Sequence, residues 1–335
     1  MKCKYLFFKD SRGSATVMLA ILMFAFVGLL ALVIDLAHLQ NVKTELSNAA
    51  DDCALAGARG LFLNPPGPVW SGGQAAATSA IGDNKADNAT LLSGQIQTGY
   101  WDLTWDPQTP PPNLKSTGIS PGPNDNPAVK VTIKKTAGVN NDAVKMTLAQ
   151  IFGIKTVDVS AQAVAICGYP SSVGPGNLFP VVISKTMADT YWDKPSFIFR
   201  IGSDYHYPLN QAGQWTSFNL DTNDVPTVSY LMANGNPTPL SVGDSIWIEP
   251  GTKTTLYNDA AKYIGKVVFL PVVNDNDFTT HAEAPIVGFL PFLLMASVGG
   301  SGKYLEGHFA PGYLLNGSSP GGPDYGAVTP PKLVQ

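Results

Sequence analysis

The sequence has few charges and few cysteines. Charged residues make up 14% of its 335 positions and the net charge is -4, so the composition provides no basic field for a nucleic acid. Three cysteines are too few for a disulfide-dense scaffold, and none of them forms the CxxC pair of a zinc site. We therefore expect neither a nucleic-acid partner nor a structural metal.

Common catalytic motifs are also missing. The chain contains no G-x-S-x-G elbow, and its four histidines never show the H-E-x-x-H spacing of a zinc protease. The glycine-rich run 298–304 is not a phosphate-binding loop, because Ser297 replaces the first glycine and Tyr304 replaces the residue that would hold magnesium. We predict a glycine-rich hairpin there, no catalytic residue, no small-molecule substrate and no enzymatic activity.

One long apolar run is present near the N-terminus. Ala15–Ile34 contains 20 residues with Thr16 as the only polar side chain, which as a helix spans about 30 Å, the thickness of the bilayer hydrocarbon. Basic residues precede the run and acidic residues follow it, which places the N-terminus in the cytoplasm. A signal peptide has a shorter apolar region, and a buried core helix would leave the basic flank unexplained. We predict a membrane anchor.

The helical pattern continues beyond the apolar run, with a narrow apolar seam on one face. The later seam positions are small residues, namely Ala49, Cys53, Ala56 and Gly60. Small side chains let another backbone approach closely, and two occupants fit the seam: a partner helix or the chain's own following domain. The proline-rich segment 64–68 then ends the helix.

Three N-terminal segments form a recognisable combination. Arg12–Val17 leads into the apolar run, Val33–Leu39 closes it, and Leu46–Ala58 reads LSNAADDCALAGA. The combination resembles the N-terminal region of the TadE/TadG-like proteins of the tight-adherence, or Flp, pilus machinery. Further segments are similar to the region that follows in the same family, and these are Thr98–Asp102, Pro127–Ile133, Ile151–Ile154 and Val157–Ala165.

The resemblance implies an assembly protein rather than a pilus subunit. Pilins of this system are cut after a glycine and carry glutamate at the fifth mature position, but a cut after Gly13 would place Met18 there. We therefore expect an uncleaved, membrane-retained protein of the TadG-like type. Many TadG-like proteins carry a D-x-S-x-S metal motif, which this chain lacks, so metal-dependent adhesion is not implied.

Topology and resemblance together predict a single-pass protein of the bacterial inner membrane, with a periplasmic C-terminal region. Its expected partners are the lipid bilayer and other pilus-assembly or envelope proteins. The leading hypothesis is a non-catalytic accessory component of tight-adherence pilus assembly. The alternative is a membrane-tethered, β-rich binding module for carbohydrate or surface adhesion. A tethered envelope hydrolase is a third hypothesis, for which the sequence contains no catalytic motif.

The predicted fold class is α+β. Strand alternation and abundant turn residues favour short strands, with 33 glycines and 27 prolines in the chain. The predicted regions are a cytoplasmic N-terminus (1–12), a transmembrane helix (13–35), an amphipathic helix extension (36–63), a small pilin-like α+β domain (70–168), a mostly β domain resembling a sandwich or barrel (176–317) and an extended tail (318–335).

Element patterns give more detail. In the α+β domain we predict helices at 74–93 and 143–152 and strands at 96–103, 128–136 and 157–166. In the β-rich domain we predict a helix at 224–232 and strands at 179–184, 197–201, 241–249, 266–273, 286–298 and 304–309. The apolar stretch 286–298 is too short to span a membrane and contains Pro291, so we interpret it as a buried strand pair.

Two further hypotheses concern cysteines and calcium. Cys53 and Cys167 would share an oxidising compartment, and a disulfide between them is one alternative, while two small buried residues are the other. Asp221, Asp224, Asp275 and Asp277 lie in segments rich in asparagine and aspartate, which supply the oxygen ligands of calcium sites. Such residues are also ordinary in turns, so plain turns are the favoured interpretation and no cofactor is predicted.

Overall fold

The computed structural model describes residues 12–63, 67–104, 114–122, 124–192, 194–202, 213–222, 224–250, 253–274, 278–300 and 302–334. Its helices are α1 (Arg12–Gly60), α2 (Trp70–Asp83), α3 (Lys185–Tyr191), α4 (Val225–Asn234) and α5 (Thr254–Ala260), with 3₁₀ turns at Ala149–Phe152 and Ala261–Tyr263. Its strands are β1 (Lys85–Ala86), β2 (Ala89–Thr90), β3 (Gln95–Asp102), β4 (Asp125–Lys135), β5 (Val144–Lys145), β6 (Thr156–Val157), β7 (Val159–Ile166), β8 (Pro170–Val173), β9 (Val181–Ser184), β10 (Phe199–Gly202), β11 (Gly213–Phe218), β12 (Leu240–Ser241), β13 (Ser245–Glu249), β14 (Val267–Val273), β15 (Ala282–Val298), β16 (Tyr304–Phe309), β17 (Ser318–Pro320) and β18 (Lys332–Leu333).

The chain divides into two compact units, each built from three separated segments. The first unit comprises the described residues of Met1–Ala50, Ile81–Gly94 and Thr132–Ala161. The second comprises those of Asp51–Ala80, Gln95–Val131 and Gln162–Gln335. The predicted mixed α+β class is confirmed, with one N-terminal apolar helix and a large sheet-rich region. The predicted domain limits of 70–168 and 176–317 do not coincide with this division.

In the first unit, two short hairpins accompany α1. Strands β1 and β2 are joined by Asp87 and Asn88, whose φ angles are 55° and 59°. Both central residues of a type I′ turn need positive φ, and aspartate and asparagine adopt it more readily than most residues. The predicted helix 74–93 therefore ends at Asp83, because this turn reverses the chain.

The second hairpin replaces the predicted helix 143–152, which is wrong. Val144 and Lys145 pair with Val157 and Thr156 as β5 and β6. The amide of Met146 then donates to the carbonyl of Lys155 at 2.9 Å, and the 3₁₀ turn Ala149–Phe152 closes the tip. Helical spacing of apolar residues was present in this segment, but its backbone groups bond across the hairpin instead.

The second unit contains a seven-stranded sheet of order β10-β16-β15-β13-β11-β9-β14, in which β14 also pairs with β15. The β14–β9 pairing is parallel and the other pairings are antiparallel. Strands β12, β8 and β17 form a three-stranded sheet, and β18, β7, β4 and β3 form a four-stranded one. A sandwich or barrel arrangement stays a prediction.

Both faces of the seven-stranded sheet are buried. Along β15, Leu290, Phe292 and Leu294 belong to one apolar cluster, while Ile286 and Phe289 belong to another. Successive side chains of a strand point to opposite faces, so a strand buried on both faces becomes a continuous apolar run. The segment 286–298 forms strand as predicted, but as part of the single strand β15 instead of a strand pair, and Met295 near its end is 42% exposed.

The C-terminal segment is integrated into the second unit, unlike the predicted extended tail at 318–335. Strand β17 pairs with β8, and β18 pairs with β7. Between them, Tyr325, Ala327 and Val328 are buried. The amide of Val334 also donates to the carbonyl of Val164 at 2.9 Å. The segment is extended because it supplies strands and apolar contacts to the sheets of this unit.

In the second unit, α1 and α2 approach closely through glycine. A Cβ atom on Gly60 would lie 2.5 Å from the Cβ of Ala76 and 2.9 Å from the carbonyl oxygen of Gly72. A Cβ on Gly72 would lie 2.8 Å from the carbonyl oxygen of Gly60. Distances this short leave no room for a methyl group, so the two helices pack backbone against backbone.

We predict that Gly60→Ala destabilises the chain by about 1–3 kcal/mol, because the added methyl overpacks the α1–α2 contact. Gly82→Ala is the matched control, since its Cβ would meet nothing within 4 Å and alanine favours helices by about 1 kcal/mol. Thermal unfolding of the detergent-solubilised chain, followed by circular dichroism, measures both. Equal midpoints for Gly60→Ala and wild type would contradict the close approach.

Candidate functional site

The first half of α1 exposes an apolar surface. From Val17 to Ile34 most large apolar side chains are about half exposed or more, and Phe24 is 76% exposed. The most apolar 18-residue window of this helix has a mean hydropathy of 3.1, and among the described residues it is the one helix long and apolar enough to cross a membrane. Water-soluble surfaces rarely present so large a continuous apolar patch. The helix therefore indicates a membrane anchor.

Asp35 follows this surface directly and is only 2% exposed. Its carboxylate accepts three backbone hydrogen bonds from the hairpin tip: from Thr147 at 3.0 Å, Leu148 at 2.9 Å and Ala149 at 2.5 Å. A buried carboxylate needs such donors, and hydrogen bonds to a charged group are the stronger ones. Asp35 therefore fastens the β5–β6 hairpin to α1 where the apolar surface ends.

A second polar cluster holds α1 one turn further on. The Nε2 atom of His38 lies 3.0 Å from Oδ1 of Asp87, and the Asp87 amide donates to Oε2 of Glu45 at 2.7 Å. The Nζ atom of the buried Lys135 lies 3.5 Å from Oδ2 of Asp87 and donates to the carbonyl of Asn140 at 3.1 Å. These groups come from α1, the β1–β2 turn and the end of β4. They are far apart in the sequence, and only the fold brings them into contact.

The small-residue seam is covered by the chain itself. Ala49, Cys53 and Gly60 are buried and Ala56 is half-buried. Gly60 packs against Gly72 and Ala76 of α2, as its close distances show. Of the two occupants considered for the seam, the structure shows the chain's own α2 at Gly60, where it fills the space that the missing side chain leaves open. A contact between the seam and a partner helix stays a prediction.

Cys53 and Cys167 are both buried, and the structure holds them as thiols with no disulfide between them. The Sγ atom of Cys167 donates to the carbonyl of Thr329 at 3.1 Å. Burial raises the pKa of Cys167 to about 12, an effect that the nearby charge of Arg59 partly offsets. The thiol is therefore protonated and unreactive at neutral pH. The disulfide between Cys53 and Cys167 stays a prediction.

The proposed calcium ligands have other roles where the structure describes them. Asp224 caps α4, accepting a hydrogen bond from the Thr227 amide at 2.8 Å, and this bond lowers the pKa of Asp224. Asp221 accepts from His281 at 3.0 Å. Asp275 and Asp277 lie outside the described residues. Within the described residues, no group of three or more histidine, cysteine, aspartate or glutamate side chains is placed to hold a metal.

The His281 neighbourhood is a polar cluster that sequence reasoning missed. Glu249 is fully buried, and desolvation raises its pKa. Its Oε1 atom accepts from the Ser217 hydroxyl at 2.6 Å and lies 3.7 Å from Nδ1 of His281, while Lys253 Nζ lies 3.4 Å from Oε2. Ser217 and His281 are each about 32 residues from Glu249 in the sequence, so no local motif marks the cluster. The Ser217 hydroxyl, Lys253 and His281 together satisfy a buried carboxylate.

A cleft of about 370 Å³ lies in the second unit. We call it the tyrosine cleft because Tyr100 and Tyr169 line it together with Asp125, Asn126 and Asp324. Burial raises the pKa of Asp324, whose carboxylate is hydrogen-bonded by the hydroxyl of Tyr169. The remaining lining residues are glycines and prolines, namely Gly67, Pro68, Pro121, Gly122, Pro127, Gly321 and Gly322.

Loop contacts shape the rim of the tyrosine cleft. Asp125 binds Lys115 Nζ through Oδ1 at 2.5 Å and accepts from the Gly122 amide through Oδ2 at 2.9 Å. The ring of Tyr100 packs edge-on against Trp70, with centroids 5.2 Å apart. Both carboxylate oxygens of Asp125 are thus engaged within the protein. The other polar groups that line the cleft are the phenols of Tyr100 and Tyr169, the amide of Asn126 and the carboxylate of Asp324.

Two features define the class of this protein. The first is an apolar helix that indicates a membrane anchor, and the second is the mixed α+β region, rich in sheet, that follows it. Two family models match its N-terminal half. Residues 13–60 match a family described as putative Flp pilus-assembly TadE/G-like, and residues 64–165 match one described as putative Tad-like Flp pilus-assembly. These matches confirm the predicted resemblance to TadG-like proteins of tight-adherence pili. No curated protein and no solved structure matches the chain.

We predict that Asp35→Ala loosens the hairpin tip. Three backbone amides lose a charged acceptor, which costs on the order of 2 kcal/mol locally and speeds exchange of the Thr147–Ala149 amides roughly thirtyfold. Hydrogen-exchange mass spectrometry of the solubilised chain measures this. Asn41→Ala is the control, because its side chain makes only an exposed bond to Glu45 on the same helix. Unchanged exchange at 147–149 in Asp35→Ala would contradict the proposed fastening.

Proposed function

We propose that this protein is a non-catalytic, membrane-anchored accessory component of tight-adherence pilus assembly. Its first helix holds it in the bacterial inner membrane with the N-terminus in the cytoplasm, and the remaining chain lies in the periplasm. The basic residues before the apolar run and the acidic residues after it support this orientation. The protein acts through contacts with other pilus-assembly or envelope proteins.

The observation that carries the proposal is the continuity of α1. One helix of 49 residues contains both the exposed apolar surface and the small-residue seam, and the TadE/G-like family model matches residues 13–60 of it. Directly after the apolar surface, Asp35 and the His38–Asp87 cluster fasten other segments of the first unit to this helix. In this proposal, a helix that carries these segments directly after its apolar surface holds them next to the bilayer, which suits a component of an assembly platform.

In this proposal most of the seam serves the folding of the chain itself. Ala49, Cys53 and Gly60 are buried, and Gly60 packs against α2, so recognition of partners falls to exposed surfaces.

Deleting the gene is expected to abolish surface pili and surface attachment under conditions in which the wild type makes pili. The full chain supplied from a plasmid should restore both. A chain in which residues 1–34 are replaced by a cleavable export signal keeps Asp35 and should reach the periplasm without restoring piliation, because it lacks the anchor. Electron microscopy of shed and attached pili, with immunoblots for protein level, measures the outcome.

Normal piliation in the deletion strain would rule out an assembly role. Full restoration by the exported, anchor-free chain would instead show that anchoring is dispensable. The two results separate the assembly part of the proposal from its membrane part.

The tyrosine cleft favours a second candidate, a membrane-tethered binding module for carbohydrate. Its volume of about 370 Å³ lies in the range of small-ligand pockets. The rings of Tyr100 and Tyr169 supply apolar faces with polar tips, while Asn126 and Asp324 supply hydrogen-bonding groups. Sugars present this same mixture of apolar faces and hydroxyl groups.

For this second candidate, we predict that N-acetylglucosamine oligomers bind the wild type and that Tyr100→Ala weakens binding at least tenfold, because one aromatic wall is lost. Tyr230→Ala is the control, since Tyr230 is 64% exposed on α4 and does not line the cleft. Titration calorimetry measures both affinities. Absence of heat with the wild type, or equal affinity for Tyr100→Ala, would remove the carbohydrate candidate.

A further inference from the structure

The tip of the β5–β6 hairpin exposes an apolar patch that the fold leaves uncovered. Ile151 is 71% exposed, Phe152 61% and Ile154 48%. They surround Gly153, whose φ of 83° lets the chain reverse after the 3₁₀ turn. Three adjacent large apolar side chains at the end of a hairpin are costly in water, so another medium or molecule is expected to cover them.

The position of the tip points to the bilayer as that medium. The Cζ atom of Phe152 lies beside α1 at Gly28, where a Cβ atom would be 3.7 Å away. Gly28 precedes Asp35 by seven residues, and seven residues of helix correspond to about 10 Å along its axis. Phe152 therefore reaches about two turns down the apolar surface of α1, away from the polar clusters at Asp35 and His38.

The base of the hairpin has the opposite character. Lys145 and Lys155 flank the tip and are both exposed. Lys145 ends β5 and pairs with Thr156 of β6, and Lys155 directly precedes Thr156, so both lysines lie at the level where the tip begins. Lysine near an apolar insertion matches an anionic lipid surface, since its ammonium group remains at the headgroups while apolar neighbours enter the hydrocarbon.

Asp35 sets the depth of the tip. Its carboxylate holds the amides of Thr147, Leu148 and Ala149, immediately before the apolar residues. The tip is therefore fixed to the membrane helix itself and lies alongside its apolar surface. An insertion depth of about 10 Å agrees with the 5–10 Å typical of interfacial elements.

We propose that Ile151, Phe152 and Ile154 form a second membrane contact, which inserts into the hydrocarbon of the leaflet next to Asp35. This inference rests on the proposed membrane anchoring by α1 and adds a second element to it. A single helix is free to tilt and rotate about its axis in a bilayer. A hairpin inserted beside it restricts both motions and so orients the attached chain relative to the membrane.

Site-directed spin labelling tests the proposal on the full chain in nanodiscs of phosphatidylethanolamine and phosphatidylglycerol. A Cys3→Ser background leaves only the buried Cys53 and Cys167, and the unsubstituted background measures their labelling. Nitroxides are placed separately by Phe152→Cys, Leu29→Cys and Gln40→Cys. Leu29 is exposed on the apolar part of α1, while Gln40 is exposed beyond Asp35. Accessibility to oxygen reports lipid, and accessibility to a nickel chelate reports water.

The label at position 152 is expected to match the label at position 29, with high oxygen and low nickel accessibility, while position 40 shows the reverse. A water-exposed label at 152 beside a lipid-exposed label at 29 would overturn the hairpin contact and leave the anchor intact. A water-exposed label at 29 would overturn the anchor, and the inference with it. Shielding of position 152 from both reagents would show a protein partner on the patch, which also overturns the lipid contact.

Discussion

The arrangement of the first unit depends on the carboxylate of Asp35, which is buried where the apolar part of α1 ends. Asp35 cannot stay charged at 2% exposure without donors, and the donors that reach it are three successive amides of a distant hairpin. Satisfying this one group therefore brings the hairpin to the helix. It also prevents residues 147–149 from continuing a helix of their own, since their amides are already engaged.

The second half of α1 obeys a different constraint, the absence of side-chain volume. Gly60 and Gly72 bring two helices close enough that an added methyl group would overlap the neighbouring backbone. In a membrane, small residues commonly serve contacts between separate chains. Here the same pattern serves an intrachain contact in the second unit, because α2 follows after a short connection. A pattern of small residues therefore predicts that another backbone approaches the helix closely, but it does not say whether that backbone belongs to the same chain or to a partner.

The sheet-rich region shows how buried polar groups accompany an apolar core. Strand β11 is buried along its whole length, and it places Ser217 beside the buried Glu249. Lys253 and His281 add positive charge or hydrogen bonds around that carboxylate. Together these contacts offset the cost of burying the charge, so the cluster contributes to the specificity of the fold. The tyrosine cleft differs, since it is open and its phenols border unfilled space.

Local sequence was sufficient to predict those structural elements whose pattern depends on neighbouring residues in the chain. The apolar run of α1, the helix at Val225–Asn234, the strand Tyr304–Phe309 and the buried strand near Pro291 all follow from periodicity and composition. So does the resemblance to TadG-like proteins, which the family matches confirm. Tertiary structure alone decided the hairpin at 144–157, the packing of Gly60 against α2, the hydrogen bond of Cys167 and the packing of the C-terminal segment. Each of these depends on a partner more than ten residues away, such as Asp35 for Ala149 or Thr329 for Cys167, and periodicity carries no information about such partners.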